Sequence, residues 1–204
     1  MQAKTREKRS AEVTRQRILV AASSRFAQGS YEEVKLRDIA ADVGIDVALV
    51  HRSFGSKEQL FAAVLMAASP ANELLASDRE ELAAVFANNI FALQSTDALQ
   101  IALRSLSSPQ ARDVLRGHSM IDFIGPLIAK LDDPARQQRA ALFTACLLGI
   151  GILRDVLQIE ALNDETRELS QPLIEKILGA CLGGKPPTGE PVLDQGRPDA
   201  LETT

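Results

Sequence analysis

A single glycine, Gly44, separates two short stretches whose apolar residues recur with helical spacing. In residues 36–43 they follow the i, i+3, i+4, i+7 pattern of one helical face. In residues 45–54 they form two pairs, 45/49 and 50/54, and the members of each pair are four residues apart. Glycine reaches left-handed backbone conformations at little steric cost and therefore often ends a helix. Two short helices joined by such a turn form a helix-turn-helix, whose second helix can enter the major groove of DNA. A simple helical hairpin within a larger bundle is the alternative.

Helical periodicity also dominates the rest of the chain, and no strand-like alternation is sustained. Pro109 and Pro134 fall near predicted helix starts, where a missing N–H is tolerated. Pro126 lies inside a helical pattern and is expected to kink or divide it. The sequence therefore predicts an all-α protein. The further predicted helices span 11–28, 56–68, 78–95, 97–106, 109–131, 134–157 and 164–182.

Charge divides the 204-residue chain into a basic N-terminal part and an acidic remainder. Residues 1–60 contain 11 Lys and Arg against 8 Asp and Glu, whereas the rest contains 12 against 19. A basic head suggests that only this part meets a polyanion, although a solvated tail would give the same asymmetry. The predicted segments are a flexible basic arm (1–10), a helix-turn-helix domain (11–56), a helical body (57–182) and a disordered tail (183–204).

Cysteine usage and hydropathy exclude several classes of protein. Only Cys146 and Cys181 occur, with no CxxC pair and no His-rich cluster, so neither a disulfide framework nor a metal site is indicated. The N-terminus lacks the apolar segment of a signal peptide. The longest nearly apolar run, residues 140–153, is too short to span a bilayer. We therefore expect a cytoplasmic protein with no cofactor, no metal and no membrane partner.

The helix predicted after Gly44 presents a second face that is not a typical core face. Ala48, His51 and Arg52 share this face through their i, i+3, i+4 spacing, and Val47 lies beside them. Small residues at the start of the helix allow it to approach the bases, where Val47 and Ala48 can touch thymine methyl groups. Arg52 can donate two hydrogen bonds to a guanine edge, although an exposed arginine can also be merely a solvated charge.

Two side chains are candidates for contacts to the DNA backbone. Lys57 falls in the first turn of the helix that Ser56 is expected to cap, where free N–H groups and the helix dipole favour an anion. A lysine opposes that dipole, so a phosphate contact explains Lys57 better than helix stability does. His51 is the second candidate, because its ring can donate a hydrogen bond to a phosphate oxygen.

One part of the chain resembles the DNA-binding region of TetR-type (tetracycline-repressor-like) transcriptional regulators. It is the stretch "LRDIAADVGIDVALVHRSFGSKEQLFAAVL", preceded by "RILVAASSRFAQGSYEEV". The later segment "RAALFTACLLGIGILRDVLQIEAL" is similar to one C-terminal domain type of that family. The resemblance implies a three-helix helix-turn-helix head on a helical ligand-binding and dimerisation domain. It also implies a bacterial homodimer, most often a repressor, that an apolar small molecule releases from a palindromic operator. The alternatives are an architectural DNA-binding protein without a ligand and an all-helical enzyme.

Position by position, the resemblance makes residues 46–53 the recognition helix. His51 occupies a position where the family has a phosphate-binding tyrosine or histidine, and Lys57 occupies that of its phosphate-binding lysine. Three positions depart from the family pattern: Lys35, Ser53 and Ser30, the last of which stands where glycine is usual. Lys35 stands where many relatives have a Ser or Thr that caps the second helix and touches phosphate. Ser53 replaces an aromatic residue. Both remain candidate DNA contacts.

The body contains a polar pair that could belong to a ligand pocket. His118 and Asp122 are four apart on one predicted helix, beside an apolar stripe. A hydrogen-bonded surface pair is the open alternative. The other predicted pocket residues are Phe86, Asn89, Phe123 and Arg154.

The segment 140–153 is apolar nearly all round the predicted helix, so it must be covered on two sides. One side would meet its own domain and the other a second subunit, although a central helix in a monomeric bundle has the same pattern. A palindromic operator favours a twofold dimer. The predicted interface residues are Phe143, Leu147, Gly149, Ile150, Leu173 and Ile177.

Overall fold

The computed structural model of the protein describes residues 2–69, 71–92 and 97–183, and these contain helices and turns but no strand. The all-α class predicted from periodicity is confirmed. The α-helices are α1 (Gln2–Gln28), α2 (Leu36–Val43), α3 (Val47–Phe54), α4 (Lys57–Ala68), α5 (Ala71–Leu74), α6 (Leu82–Ala92), α7 (Asp97–Ser105), α8 (Pro109–Ser119), α9 (Gly125–Lys130), α10 (Arg136–Gly151) and α11 (Arg167–Cys181). Two π-helical turns (Met120–Ile124 and Ile152–Val156) and two 3₁₀ turns (Glu160–Leu162 and Asp164–Thr166) complete the order.

Of the two terminal segments predicted to lack structure, the structure describes most of the N-terminal one but only Gly183 of the C-terminal one. Helix α1 begins at Gln2, so residues 2–10 are helical and the flexible arm predicted at 1–10 is wrong. The physical reason is that residues 2–10 combine good helix formers (Ala, Lys, Arg, Glu and Gln) with no Gly or Pro. The disordered tail predicted at 183–204 lies, apart from Gly183, outside the described residues.

Pro126 divides the long helix predicted at 109–131, as expected. Helix α8 ends at Ser119, a π-helical turn follows, and α9 begins one residue before the proline. Because Pro126 has no N–H to donate within the helix, the backbone widens here, and the Gly125 N–H donates to the Met120 carbonyl five residues earlier. An added Cβ at Gly125 would lie 2.6 Å from that carbonyl oxygen, so the turn requires glycine.

The first hydrophobic core joins the helix-turn-helix to the base of the body. Phe61 of α4 packs edge-on against Phe26 and Tyr31, with ring centroids 4.9 and 5.1 Å away. Side chains from α1, α2, α3 and α4 fill this core, and Ile101 of α7 and Ala111 of α8 close it. Helix α4 is therefore part of the core of the head as well as the beginning of the body.

The second core lies further along the body. Phe86 of α6, Phe123 of the first π-helical turn and Phe143 of α10 meet with centroids 5.3 to 6.4 Å apart. Ile174 and Leu178 of α11 pack in the same cluster. The body is thus held by aromatic contacts among helices that are distant in sequence.

We predict that Phe61→Ala lowers the free energy of unfolding by about 3–5 kcal/mol, because a fully buried ring is lost and leaves a cavity. Denaturant unfolding followed by circular dichroism would measure the change. Val20→Ala on the exposed side of α1 is the control, with a change within about 0.5 kcal/mol. A loss below about 1 kcal/mol for Phe61→Ala would contradict this account of the first core.

Candidate nucleic-acid interface and cavity

The turn between α2 and α3 has the geometry that the sequence predicts. Gly44 adopts the left-handed conformation (φ 72°, ψ 38°) and ends α2. The Asp46 carboxylate accepts a hydrogen bond of 2.7 Å from the Ala48 N–H and so caps α3. Ser56 caps α4 in the same way, accepting from the Gln59 N–H. These caps fix where α3 starts and which of its faces turns outward.

The outward face of α3 consists of the residues predicted to approach DNA. Val47, Ala48, His51 and Arg52 are exposed, and Ser53 is half-buried. The opposite face, Val50 and Phe54, is buried in the first core. Beside this helix, exposed Lys35 provides no side-chain cap for α2, as its replacement of Ser or Thr predicts.

Arginines of α1 brace both helices of the motif, a role that the sequence reasoning missed. The Arg17 guanidinium donates to the Val43 carbonyl at the end of α2 (2.8 Å). Arg15 donates to the Ser53 carbonyl near the end of α3 and lies over the Phe54 ring, 4.0 Å from its centroid. Each cation thus satisfies a free carbonyl at a helix C-terminus, where the helix dipole favours positive charge.

A third arginine of α1 joins α2 through an ion pair. Both Arg25 Nε and Nη2 donate to the Asp42 carboxylate, at 2.6 and 2.7 Å. The hydrogen bond from Arg25 holds the pKa of Asp42 below its usual value. Because the pair is solvent-exposed, it orients α2 more than it stabilises the fold.

Lys57 lies at the start of α4 but its ammonium packs against an aromatic ring. Its Nζ is 4.2 Å from the centroid of Tyr31, and burial lowers the pKa of Lys57. The Tyr31 hydroxyl donates to Glu58 (3.0 Å), and burial is the largest cause that raises the pKa of Tyr31. The lysine is therefore held at the end of α4 beside α3, and its phosphate contact stays a prediction.

His51 is oriented by its own helix. Its Nδ1 lies 3.0 Å from the carbonyl oxygen of Gly55. Since a carbonyl can only accept, Nδ1 carries the proton in this contact. The outward Nε2 is then an acceptor in the neutral ring and becomes a donor only when the imidazole is protonated. Phosphate oxygens accept hydrogen bonds, so a phosphate contact through Nε2 requires the imidazolium form.

The body encloses a cavity of about 280 Å³ whose walls are mostly apolar. Five of the six predicted pocket residues line it: Phe86, Asn89, His118, Asp122 and Phe123. His118 Nδ1 and the Asp122 carboxylate are 2.7 Å apart, with side chains 17% and 27% exposed. The pair thus lies in the cavity wall, and its role in ligand binding stays a prediction. Leu65, Leu115 and Leu147 contribute to the apolar wall.

Arg154 is the exception, and its prediction as a pocket residue is wrong. Its guanidinium forms ion pairs with Asp155 and Asp164 and lies over the Phe91 ring, 5.1 Å from the centroid, outside the cavity lining. The lining residues Thr144, Leu148, Gly151 and Asp155 keep regular α-helical spacing, and Arg154 lies at the edge of the face that they form. Asp155, which the sequence reasoning did not select, lines the cavity instead.

The residues predicted for the dimer interface do not share one surface. Phe143 is fully buried in the second core, so its prediction is wrong. Leu147 lines the cavity and Ile150 packs, half-buried, against the second core, and their place in an interface stays a prediction. A helix that is apolar all round does not reveal which side faces outward, and this caused the error at Phe143. Gly149 does face open space.

The apolar side chains that are exposed on α10 and α11 form an outer surface. On α11, Leu173 and Ile177 of the prediction are joined by Leu169. On α10 the exposed large apolar residues are Leu142 and Leu148, and Leu148 also lines the cavity. Their exposed fractions run from 49% to 77%, high for large apolar side chains. We refer to Leu142, Leu169, Leu173 and Ile177 as the outer apolar surface.

Within the described ranges, no group of three or more His, Cys, Asp or Glu side chains could hold a metal ion. In the same part of the chain, every helix is too short or too polar to cross a membrane.

Two family descriptions match the chain. "Bacterial regulatory proteins, tetR family" matches residues 18–64, and "Tetracyclin repressor-like, C-terminal domain" matches residues 79–182. The chain belongs to the TetR family. The resemblance predicted from the helix-turn-helix region is thus confirmed, and the protein is a TetR-family transcriptional regulator with a DNA-binding head.

Solved structures share the fold of this TetR-family chain at low sequence identity. GusR of Salmonella enterica is 18% identical, with a TM-score of 0.64 over 83% of this chain and 95% of its own. NalD, the secondary repressor of the MexAB-OprM multidrug efflux pump in Pseudomonas aeruginosa, is 19% identical, with a TM-score of 0.61 over 86% and 97%. SmeT, solved with triclosan, is 19% identical, with a TM-score of 0.60 over 92% and 100%. No curated protein matches the chain in sequence.

We predict that Arg52→Ala and Lys57→Ala weaken DNA binding in different ways. Arg52→Ala should lose about 1–3 kcal/mol on the preferred site and relax the preference at one base pair per half-site. Lys57→Ala should weaken all sequences similarly and reduce the slope of log K against log salt by about one. Randomised-site selection and salt titrations would measure both, with Arg116→Ala, exposed on α8, as the control. An unchanged base preference in Arg52→Ala would exclude the base contact.

Proposed function

We propose that the protein is a dimeric repressor that leaves a palindromic operator when a small apolar molecule fills the cavity of the body. Val47, Ala48 and Arg52 would meet the bases, and His51 and Lys57 the phosphates. Lys35 and Ser53 flank this surface as further contacts. Such a regulator acts on chromosomal DNA, so a cytoplasmic location in a bacterium follows from the proposal.

The observation that supports ligand control is the continuity between the cavity wall and the core of the head. Leu65 of α4 belongs to the first core and also lines the cavity, eight residues after Lys57. Leu115 of α8 packs against the same core and lines the same cavity. Interiors this closely packed transmit displacement, so a molecule that moves these two leucines would move α4 and thereby α3.

A hydrogen bond provides a second link between body and head. The hydroxyl of Ser108, which caps α8, donates to the Glu32 carboxylate in the turn between α1 and α2. Ser108 is almost fully buried. A movement of α8 would therefore act on the head both through apolar packing and through this polar contact.

The outer apolar surface supports the proposal of a dimer. Leu169, Leu173 and Ile177 recur every four residues on α11, which places them on one face. Soluble proteins seldom expose contiguous apolar patches without a partner. A twofold axis beside α10 and α11 would cover this surface with its own copy and place two recognition helices on a palindrome.

We predict that Leu173→Glu converts the dimer to a monomer. Leu173 is 58% exposed in the single subunit, so the fold should tolerate glutamate, whereas a twofold interface would bury two uncompensated carboxylates at a cost of several kcal/mol. Sedimentation at micromolar concentration would show the monomer. Leu106→Glu, at an exposed position that belongs to neither α10 nor α11, is the matched control. A Leu173→Glu variant that stays dimeric would place the interface elsewhere.

We predict that an inducing compound and the operator weaken each other's binding by the same factor, as linkage requires. The operator would first be isolated by capturing genomic DNA with the purified protein. Apolar compounds would then be titrated into the protein with and without that DNA. A compound with equal affinity in both titrations is not an inducer, since it cannot shift the equilibrium between two conformations.

A cavity-filling substitution distinguishes a regulator controlled by a ligand from an architectural DNA-binding protein that has no ligand. Ala102 lines the cavity, so Ala102→Phe should occupy the ligand volume and abolish the response to the compound. Ala76→Phe, at an exposed position outside the cavity, is the control. If no cavity-binding compound changes operator affinity in the wild-type protein, the architectural alternative is favoured.

A further inference from the structure

The cavity has an unbalanced set of charged side chains. Asp122 and Asp155 both line it, whereas none of its lining residues is a lysine or an arginine. His118 is the only basic side chain in the lining. An organic anion that entered this space would therefore meet two carboxylates in a medium of low dielectric, where repulsion between like charges is strong.

The two carboxylates have partners on different sides of the cavity wall. The Asp122 carboxylate faces His118 within the cavity, 2.7 Å from Nδ1. Asp155 is paired with Arg154, whose guanidinium lies outside the lining and is shared with Asp164. Arg154 therefore offsets the charge of Asp155 from outside the lining, whereas the charge of Asp122 faces only His118.

The apolar part of the wall also suits a positive charge. Phe86 and Phe123 line the cavity and meet edge-to-face, with ring planes 88° apart and centroids separated by 5.6 Å. The faces of aromatic rings attract cations through their quadrupole. Thr144 uses its hydroxyl hydrogen on the Ala140 carbonyl, so towards the cavity it can act only as an acceptor.

We propose that the cavity selects organic cations: molecules with an apolar body and one substituted ammonium group that lies beside Asp122 and Asp155. This inference rests on the proposed function in taking the cavity as the ligand site, and it adds the charge of the ligand. A neutral compound of the same shape would gain the apolar contacts but not the attraction to the carboxylates. An anion of that shape would be excluded.

Three para-substituted phenols test the proposal, because they differ in charge and hardly in shape. The substituents are trimethylammonium, tert-butyl and sulfonate. Calorimetric titration of the full chain should give binding of the ammonium compound about tenfold or more tighter than that of the tert-butyl compound. The sulfonate should bind weakest. Equal or tighter binding of the tert-butyl compound, or no binding of the ammonium compound at millimolar concentration, would overturn the proposal.

Substitutions in the cavity wall then test whether the preference for the ammonium compound arises in the cavity. Asp122→Asn and Asp155→Asn should each reduce the preference for the ammonium compound over its tert-butyl counterpart. Asp113→Asn, at an exposed position on α8, should leave it unchanged. Thermal unfolding without ligand would show whether each variant is folded, and either folded variant suffices for the test. A preference that persists in both aspartate variants would overturn the proposal.

The failure of this inference can be told from that of the proposed function. If the neutral compound binds as well as the cation and still releases operator DNA, ligand control stands and the selection for cations is overturned. If the cation binds with the expected preference but leaves operator affinity unchanged, the selection stands and ligand control fails.

Discussion

Burial of Phe61 between Phe26 and Tyr31 is the contact on which the rest of the structure depends. It fixes α4 against α1, and α4 in turn places Lys57 at the outer end of the head and Leu65 at the cavity. A helix that served only the body would leave the head free to rotate on a linker. Because α4 belongs to the first core, the orientation of the recognition helix is tied to the packing of the body.

Charge organises the head through contacts within the protein as well as towards DNA. Arg15, Arg17 and Arg25 of α1 are engaged with α2 and α3, two of them at C-terminal carbonyls. The basic excess at the N-terminus is therefore partly structural. The exposed cations Lys35 and Arg52 remain at the outward surface, near the small residues that begin α3. Counting charges alone would overestimate the number of phosphate contacts.

Local features of the site were predictable from the sequence because local spacing determines them. The turn at Gly44 and the Asp46 cap depend on residues within a few positions, and so does the outward face of α3. Arg15 and Arg17 were missed because their partners lie 38 and 26 residues away. Periodicity could not orient a helix that is apolar all round, so Phe143 was assigned to the wrong side.

Helix α10 links the three parts of the body through its different faces. Phe143 faces the second core, Leu147 and Gly151 face the cavity, and Leu142 and Gly149 face outward. An added Cβ at Gly151 would lie 3.0 Å from Leu99, so α7 and α10 approach closely at the cavity. A ligand that separates these helices would push on the side of α10 opposite the outer apolar surface. Filling the cavity and rearranging a dimer across that surface would then be one movement of a single helix, transmitted to the head through α4 and α8.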